Sequence, residues 1–153
     1  MALEIRAMVA ADYDEALSLW RQSEGIGLSG ADSPEAIAAF LARNPGLSLV
    51  VRLGGRLVGA VLCGHDGRRG YLHHLAVALA HRGRGLGTKL VEACLAGLAA
   101  AGIEKCHIFL RADNRNGEAF WRNIGWTDRT DLKMMSRETG PSPRPAPPPG
   151  SSG

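Results

Sequence analysis

The residues best suited to chemistry lie in one stretch, Leu75-Ala76-Val77-Ala78-Leu79-Ala80-His81-Arg82-Gly83-Arg84-Gly85-Leu86-Gly87-Thr88, where three glycines alternate with larger side chains just before an apolar, helix-like pattern. Lacking Cβ atoms, such a turn can expose successive backbone N–H groups at a helix N-terminus, whose dipole favours negative charge. Arg82 and Arg84 add fixed cations, so a polyphosphate is the natural ligand; a tight turn with solvated arginines is the plainer alternative. Spacing narrows the choice. A P-loop needs a glycine at position 82 and Lys before Ser/Thr, whereas Arg82 stands there and the order is Thr88-Lys89. A dinucleotide fingerprint starting at Gly83 would want a third glycine where Thr88 stands.

Proton transfer needs a second set of residues. His73 and His74 precede the stretch, and histidine is suited to proton exchange near neutrality. Strand parity predicts that His73 shares a face with Leu75 and Val77 and that His74 points to the other. A buried, satisfied His73 is the alternative to a catalytic one. His65 and Asp66 read as turn residues. Glu24, Asp32 and Glu35 either attract a cationic acceptor or are solvated loop charges. A serine nucleophile is disfavoured: Gly27-Leu28-Ser29-Gly30-Ala31 misses the last glycine of the nucleophile elbow and follows no strand. Cys63, Cys94 and Cys106 form no C-x-x-C pair and read as small buried hydrophobes, so no metal is expected.

The elements that must position these groups follow from the chain as a whole. Its 153 residues, 45% apolar and 22% charged, suit one globular domain, expected over 1–139. Residues 140–153, with six of the eight prolines, read as a disordered or polyproline-like tail. No apolar run reaches the roughly 18 residues of a membrane span and the N-terminus lacks a signal-peptide layout, which predicts a cytoplasmic protein with no membrane partner. The net charge of +3 is uneven. Arg68, Arg69, Arg82, Arg84 and Lys89 fall in an acid-free stretch between Asp66 and Glu92, and the rest of the chain carries −2. One region is thus built to meet an anion. Cations clustered at one loop without interleaved aromatics argue against nucleic acid.

Leu3 to Met8 reads as a strand, and Asp12 with Glu15 as a capping-box-like start of a helix bearing Ala16, Leu17, Leu19 and Trp20. Ser33-Pro34 opens a second helix that runs to about Arg43. Leu47 to Leu53, Arg56 to Gly64 and Tyr71 to Ala78 form a meander, with turns at Gly54-Gly55 and Asp66-Gly67. A helix from Leu86 to Gly102, a strand at Lys105 to Arg111 and a helix at Asn116 to Ile124 follow, with one or two edge strands between Trp126 and Arg137. The strands at Tyr71 and Lys105 flank a helix, so they should be parallel. The fold class is α/β, with a central mixed sheet of six to seven strands and about four helices.

The turn resembles the acyl-CoA loop of the GNAT superfamily of N-acyltransferases, whose pattern Q/R-x-x-G-x-G/A is met by Arg82, Gly85 and Gly87. A second GNAT segment, N-x-x-A-x-x-F-Y-x-x-x-G-F, is similar to Asn114 through Trp126, with Gly117 in the alanine place and Trp121 and Trp126 in ring positions. The stretches Gly25 to Ser29 and Gly64 to Tyr71 look like a bacterial branch of small GNAT proteins with poorly defined acceptors. The resemblance implies that the backbone of Leu75, Ala76 and Val77 pairs with the pantetheine arm and that the Val77 amide faces the thioester oxygen. It implies further that Arg82, Gly83, Arg84, Gly85, Leu86, Gly87 and Thr88 hold the pyrophosphate, while Asn114, Phe120 and Trp121 line the opposite wall. Implied too is acetyl transfer from acetyl-CoA to an amine by direct attack in a ternary complex, with Val77 and His73 as catalytic groups. An acyl-CoA-binding sensor without catalysis is the rival reading, and a homodimer is left open. The departure is Trp121, where the family often has a tyrosine acid; an indole N–H has no useful acidity.

Overall fold

The computed structural model describes residues 2–141, so the tail expected at 140–153 lies outside the described residues from position 142 on. The chain forms a five-stranded sheet in the order β1 (Leu3–Ala7), β2 (Leu49–Leu53), β3 (Arg56–His65), β4 (Gly70–Val77) and β5 (Cys106–Ile108). The first four strands pair antiparallel, and β4 pairs with β5 in parallel, as the intervening helix requires. The β2–β3 turn places Gly54 and Gly55 at φ 59° and 78°, the left-handed pair that a two-residue hairpin turn demands.

Helices cover both faces. On one, α1 (Tyr13–Gln22) and α2 (Pro34–Arg43) bury Leu17, Trp20 and Ile37 against Val50, Ala60, Leu62 and Ala76. On the other, α3 (Leu86–Ala100) lays Leu90, Val91, Cys94 and Leu98 on Val51, Val61, Cys63 and Leu72, with Trp121 of α4 (Arg115–Asn123) joining them. Leu90 and Val91 are fully enclosed, and each such side chain contributes about 1.5–3 kcal/mol of burial.

Helix starts follow the sequence in one case and not in another. Ser33 caps α2, its hydroxyl accepting from the Ala36 N–H at 3.2 Å, with Pro34 in the first turn. Asp12 stands at the N-cap of α1 but makes no side-chain cap there. Its carboxylate, 1% exposed, instead accepts from Arg6 and Arg52 at 2.8 Å and from the Val9 N–H at 2.9 Å. Burial works to raise its pKa, but those hydrogen bonds outweigh it and hold the group well below the usual carboxylate range. Glu15 also turns away from the cap, to Arg52 and to the Leu57 N–H, so the pair ties α1 to β2 and β3.

The sheet has five strands, not six or seven, because residues 126–137 add none among those described. Leu132, Met134 and Met135 are 61%, 69% and 90% exposed. Arg129 pairs with Asp131 within the segment and Asp128 pairs with Arg122 of α4, so these charges are met without a strand at the edge of β5.

Candidate active site

The parallel ladder between β4 and β5 lasts three residues, from Gly70 opposite Cys106 to Leu72 opposite Ile108. Beyond it the strands part, and a cleft of about 900 Å³ opens between them. Every site residue predicted from the sequence lines this cleft except Arg84: His73, Leu75, Ala76, Val77, Arg82, Gly83, Gly85, Leu86, Gly87, Thr88, Asn114, Phe120 and Trp121. A smaller groove beyond β5, about 680 Å³, shares only Trp121 with that set. Among the described residues no three His, Cys, Asp or Glu come together as a metal site.

One end of the cleft is main chain. Gly83 and Gly85 adopt φ 78° and 77°, and a Cβ built on either would meet nothing within 4 Å, so open space lies beside both. Gly85 is the N-cap of α3 and supplies no side-chain cap; the helix's first bond runs from the Lys89 N–H to the Gly85 carbonyl. The first-turn amides of Leu86, Gly87 and Thr88 therefore have no intrahelical acceptor and point out of the helix end. This cradle, with the helix dipole behind it, fits a pyrophosphate. Gly87 has a different reason: a Cβ there would sit 3.2 Å from the Phe120 ring, so the glycine lets α3 approach α4. Arg82 is partly committed, its Nε donating to the Val77 carbonyl at 2.9 Å, and it lines the cleft beside the glycines.

The floor is the edge of β4. The Ala78 N–H donates to the Val58 carbonyl on β3. By antiparallel alternation, the N–H and C=O of Val77 face the other way, into the gap left by β5, where the carbonyl accepts from Arg82. The far wall is the start of α4. Asn114 caps that helix, its Oδ1 accepting from the Gly117 N–H at 2.9 Å. A Cβ on Gly117 would collide with the Asn114 amide, which explains glycine in the alanine place. A Cβ on Gly25 would lie 2.5 Å from the same amide, so the α1–α2 loop reaches across the cleft to this cap. Trp121 is buried, edge-on to Phe120 and Trp126 at 5.3 and 4.9 Å, a packing residue rather than an acid. Neither phenol replaces it: Tyr13 donates to the Asp32 carbonyl at 2.6 Å, and Tyr71 does not line the cleft.

The other end is built from side chains around a bulge that the sequence pattern concealed. Ala76 pairs with Ala60 but His73 with Leu62, so two residues of β4, His74 and Leu75, oppose one of β3. His74 takes φ 55°, the only described non-glycine in the left-handed region, at a cost of about 1–2 kcal/mol. The bulge overturns the expected parity. Leu75 and Val77 pack toward α3, whereas His73 lies edge-on to Phe40 of α2 at 6.2 Å and His74 lies 5.2 Å from the ring of Trp20 in α1. Both histidines thus face the α1–α2 side. His73 also stacks with Tyr71 and Phe109 at 6.4 and 6.3 Å. Burial, helped by the neighbouring His74 and opposed by Asp32, lowers its pKa.

Asp32 is not a solvated loop charge. It is 5% exposed at the end of a 3-10 turn, accepting from the Ser29 N–H at 3.0 Å and bonded to His74 Nε2 at 2.7 Å. Sequence reasoning missed both the dyad and the bulge. The one signal available was Ser29 followed three residues later by Asp32, a turn-capping pattern that fixes an acid in place.

These features have relatives. The family model for the acetyltransferase (GNAT) family matches residues 13–126. An acetyltransferase of Yersinia enterocolitica is 35% identical over 136 residues, covering 88% of this chain and 95% of that protein. One of Sodalis glossinidius is 34% identical over 113 residues, covering 73% and 78%. Among solved structures, the PaiA N-acetyltransferase of Thermoplasma acidophilum in complex with coenzyme A matches with a TM-score of 0.73 at 19% identity, over 83% of this chain and 91% of that one. Ard1 from Thermoplasma volcanium gives the same TM-score and identity over 83% and 84%. With a family model spanning most of the sequence and a close length match to its relatives, the chain belongs to the GNAT family of acetyltransferases.

Proposed function

We propose that this acetyltransferase moves the acetyl group of acetyl-CoA to a primary amine of a small molecule or peptide by direct attack with both substrates bound. The observation that carries the reading is that the glycine cradle at the α3 N-terminus and the unpaired edge of β4 open onto one cleft. Gly83, Gly85, Leu86, Gly87 and Thr88, with Arg82, hold the pyrophosphate through main-chain amides and one cation, while Arg84 stands outside the cleft. The edge of Leu75 and Val77 takes the extended pantetheine arm, and Asn114, Phe120 and Trp121 close the opposite wall.

Acetyl-CoA supplies an activated thioester, and its thiol, with a pKa near 8.5, leaves without a strong acid. The Val77 N–H, directed into the gap, stabilises charge on the acyl oxygen. The protein's remaining task is to orient the amine and take its proton. The balance is one ammonium and one thioester giving one amide, one free thiol and one proton. Two histidines border the cleft at the bulge: His73, the one singled out from sequence, which lies among the rings of Phe40, Tyr71 and Phe109, and His74.

The test is a panel of primary amines with acetyl-CoA, read as free thiol release. Turnover dependent on an amine is expected. Tight CoA binding without turnover on any amine would instead mark a sensor that binds the ligand and does no chemistry.

A further inference from the structure

We propose that His74, held by Asp32, is the group that accepts the amine's proton, and that His73 is a ring of the acceptor wall. The inference rests on the reading of the cleft as a transferase site and names the group that does one step of it. His74 lines the cleft and is the residue at which β4 is forced into the left-handed region. Strain at a non-glycine residue persists only where the surroundings impose it, and here they hold the ring on two sides. Trp20 lies against one side at 5.2 Å, and Asp32 bonds Nε2 at 2.7 Å.

Asp32 is itself fixed three times. The Ser29 N–H donates to its Oδ2, its own N–H donates to the Ser29 carbonyl, and its carbonyl accepts from the Tyr13 hydroxyl. A carboxylate only accepts hydrogen bonds, so a neutral imidazole facing it carries its single proton on Nε2. The lone pair is then on Nδ1. That nitrogen has no protein partner among the described residues and is not sealed from solvent. The arrangement presents a base of defined tautomer to the cleft. The amine's proton passes to Nδ1, leaving the nitrogen lone pair free to attack, and the imidazolium returns the proton to solvent afterwards. The titratable groups around the ring are Asp32, with Tyr13 behind it, and His73 on the same strand. His73 has no such orienting carboxylate, and its neighbours are the rings of Phe40, Tyr71 and Phe109.

The test uses the full chain with nitrogen-labelled histidine. Long-range nitrogen–proton spectra at mildly alkaline pH report which ring nitrogen is protonated. The Nε2–H tautomer is expected for His74; a proton on Nδ1 in the wild type overturns the proposal whatever the activity. Asp32→Asn supplies the reverse. The Ser29 N–H needs an acceptor, so the new amide oxygen turns to it and the NH₂ faces Nε2, driving the proton to Nδ1. Turnover is read as free thiol release from acetyl-CoA with trialanine, lysine amide and spermidine as probes. On any probe that the wild type acetylates, His74→Gln is expected to lower kcat roughly 10²- to 10⁴-fold. KM for acetyl-CoA should stay within about twofold, and His73→Gln should cost less than about tenfold. A large loss in His73→Gln with His74→Gln near wild type gives the proton to His73 and overturns the assignment. Should the wild type acetylate none of the three, the transfer reading fails, and the spectra still decide the tautomer.

Discussion

The two ends of the cleft are made of different material. At the β4–α3 turn the groups facing the cleft are backbone amides, and the side chains matter chiefly by being absent at Gly83 and Gly85. At the bulge, three residues to the other side of Val77, the working groups are side chains from separate parts of the chain, with His74 and Asp32 lying 42 residues apart. A main-chain site writes its requirements locally, as glycines at fixed spacing before a helix. A side-chain site assembled by packing leaves no such local record.

Removing the bulge should have the largest effect of any change at either end. Without His74, Leu75 would follow His73 directly, and Leu72, His73, Leu75 and Ala76 would alternate correctly between the two faces opposite Cys63, Leu62, Val61 and Ala60. Deleting His74, with Asp32→Asn in the same chain so that no carboxylate is left buried alone, should therefore keep the fold. The melting temperature should move by no more than about 4 °C, the shift that about 1 kcal/mol makes in a domain of this size. Turnover should fall roughly 10⁴-fold, since the proposed base is lost and the cleft edge is misplaced as well. A collapse of stability instead would show that the bulge serves the fold.

At the other end, Gly85→Asp adds a negative charge where the cradle is open. Aspartate is a good N-cap and tolerates the left-handed region better than most residues, so α3 should persist. Calorimetry should show CoA affinity reduced roughly a hundredfold, or about 2.7 kcal/mol. Undiminished affinity would remove the phosphate from this turn.

The contrast accounts for what was legible in the sequence. Gly85 and Gly87 with Arg82 marked the β4–α3 turn that borders the cleft, Ser33-Pro34 located the start of α2, and the parallel β4–β5 pairing followed from the helix between those strands. The bulge was hidden because Leu72-His73-His74-Leu75 reads as an ordinary strand and carries no glycine or asparagine to announce a positive φ. Asp32 looked like a solvated loop acid because its burial depends on Tyr13 and His74 arriving from other elements. Residues 126–137 were expected to add one or two edge strands, but ion pairs between near neighbours in sequence satisfy the charges without the sheet. Pattern alone cannot register that competition.

The wall between the two ends gives a smaller test. Asn114 serves as cap of α4 and as the contact that makes Gly25 and Gly117 necessary. Asn114→Ala should cost about 1 kcal/mol, the usual value of a lost cap. Gly117→Ala should cost a similar amount despite alanine's better helix propensity, because its Cβ displaces the capping amide. Thermal melts of the two variants and of their combination should be less than additive, since both act through one hydrogen bond. Strict additivity would show that Gly117 is there for another reason.

The smallest expected effect concerns pH and separates the two histidines by stability rather than rate. Burial, then the adjacent His74, depress the pKa of His73, with Asp32 pulling weakly the other way. In the unfolded chain the group returns to about 6.5, so the unfolded state binds the proton more readily than the folded one. A depressed folded pKa contributes stability that is fully present above about pH 6.5 and is lost as pH falls through the lower folded value. Asp12 behaves with the same sign in a more acidic window, below its unfolded value near 3.9, because Arg6 and Arg52 hold it ionised in the fold. Melting temperature should therefore fall in two stages on acidification. His73→Phe keeps a ring among Phe40, Tyr71 and Phe109 but cannot titrate. Its melting curve should be flatter than the wild type's as pH falls from about 6.5 toward the lower folded value, and parallel to it above about 7. His74 and Asp12 are common to both proteins, so the difference between the curves isolates position 73. Curves that stay parallel throughout would mean that His73 is as readily protonated in the fold as in the unfolded chain, and the ring stack would then not be the dry environment its neighbours suggest.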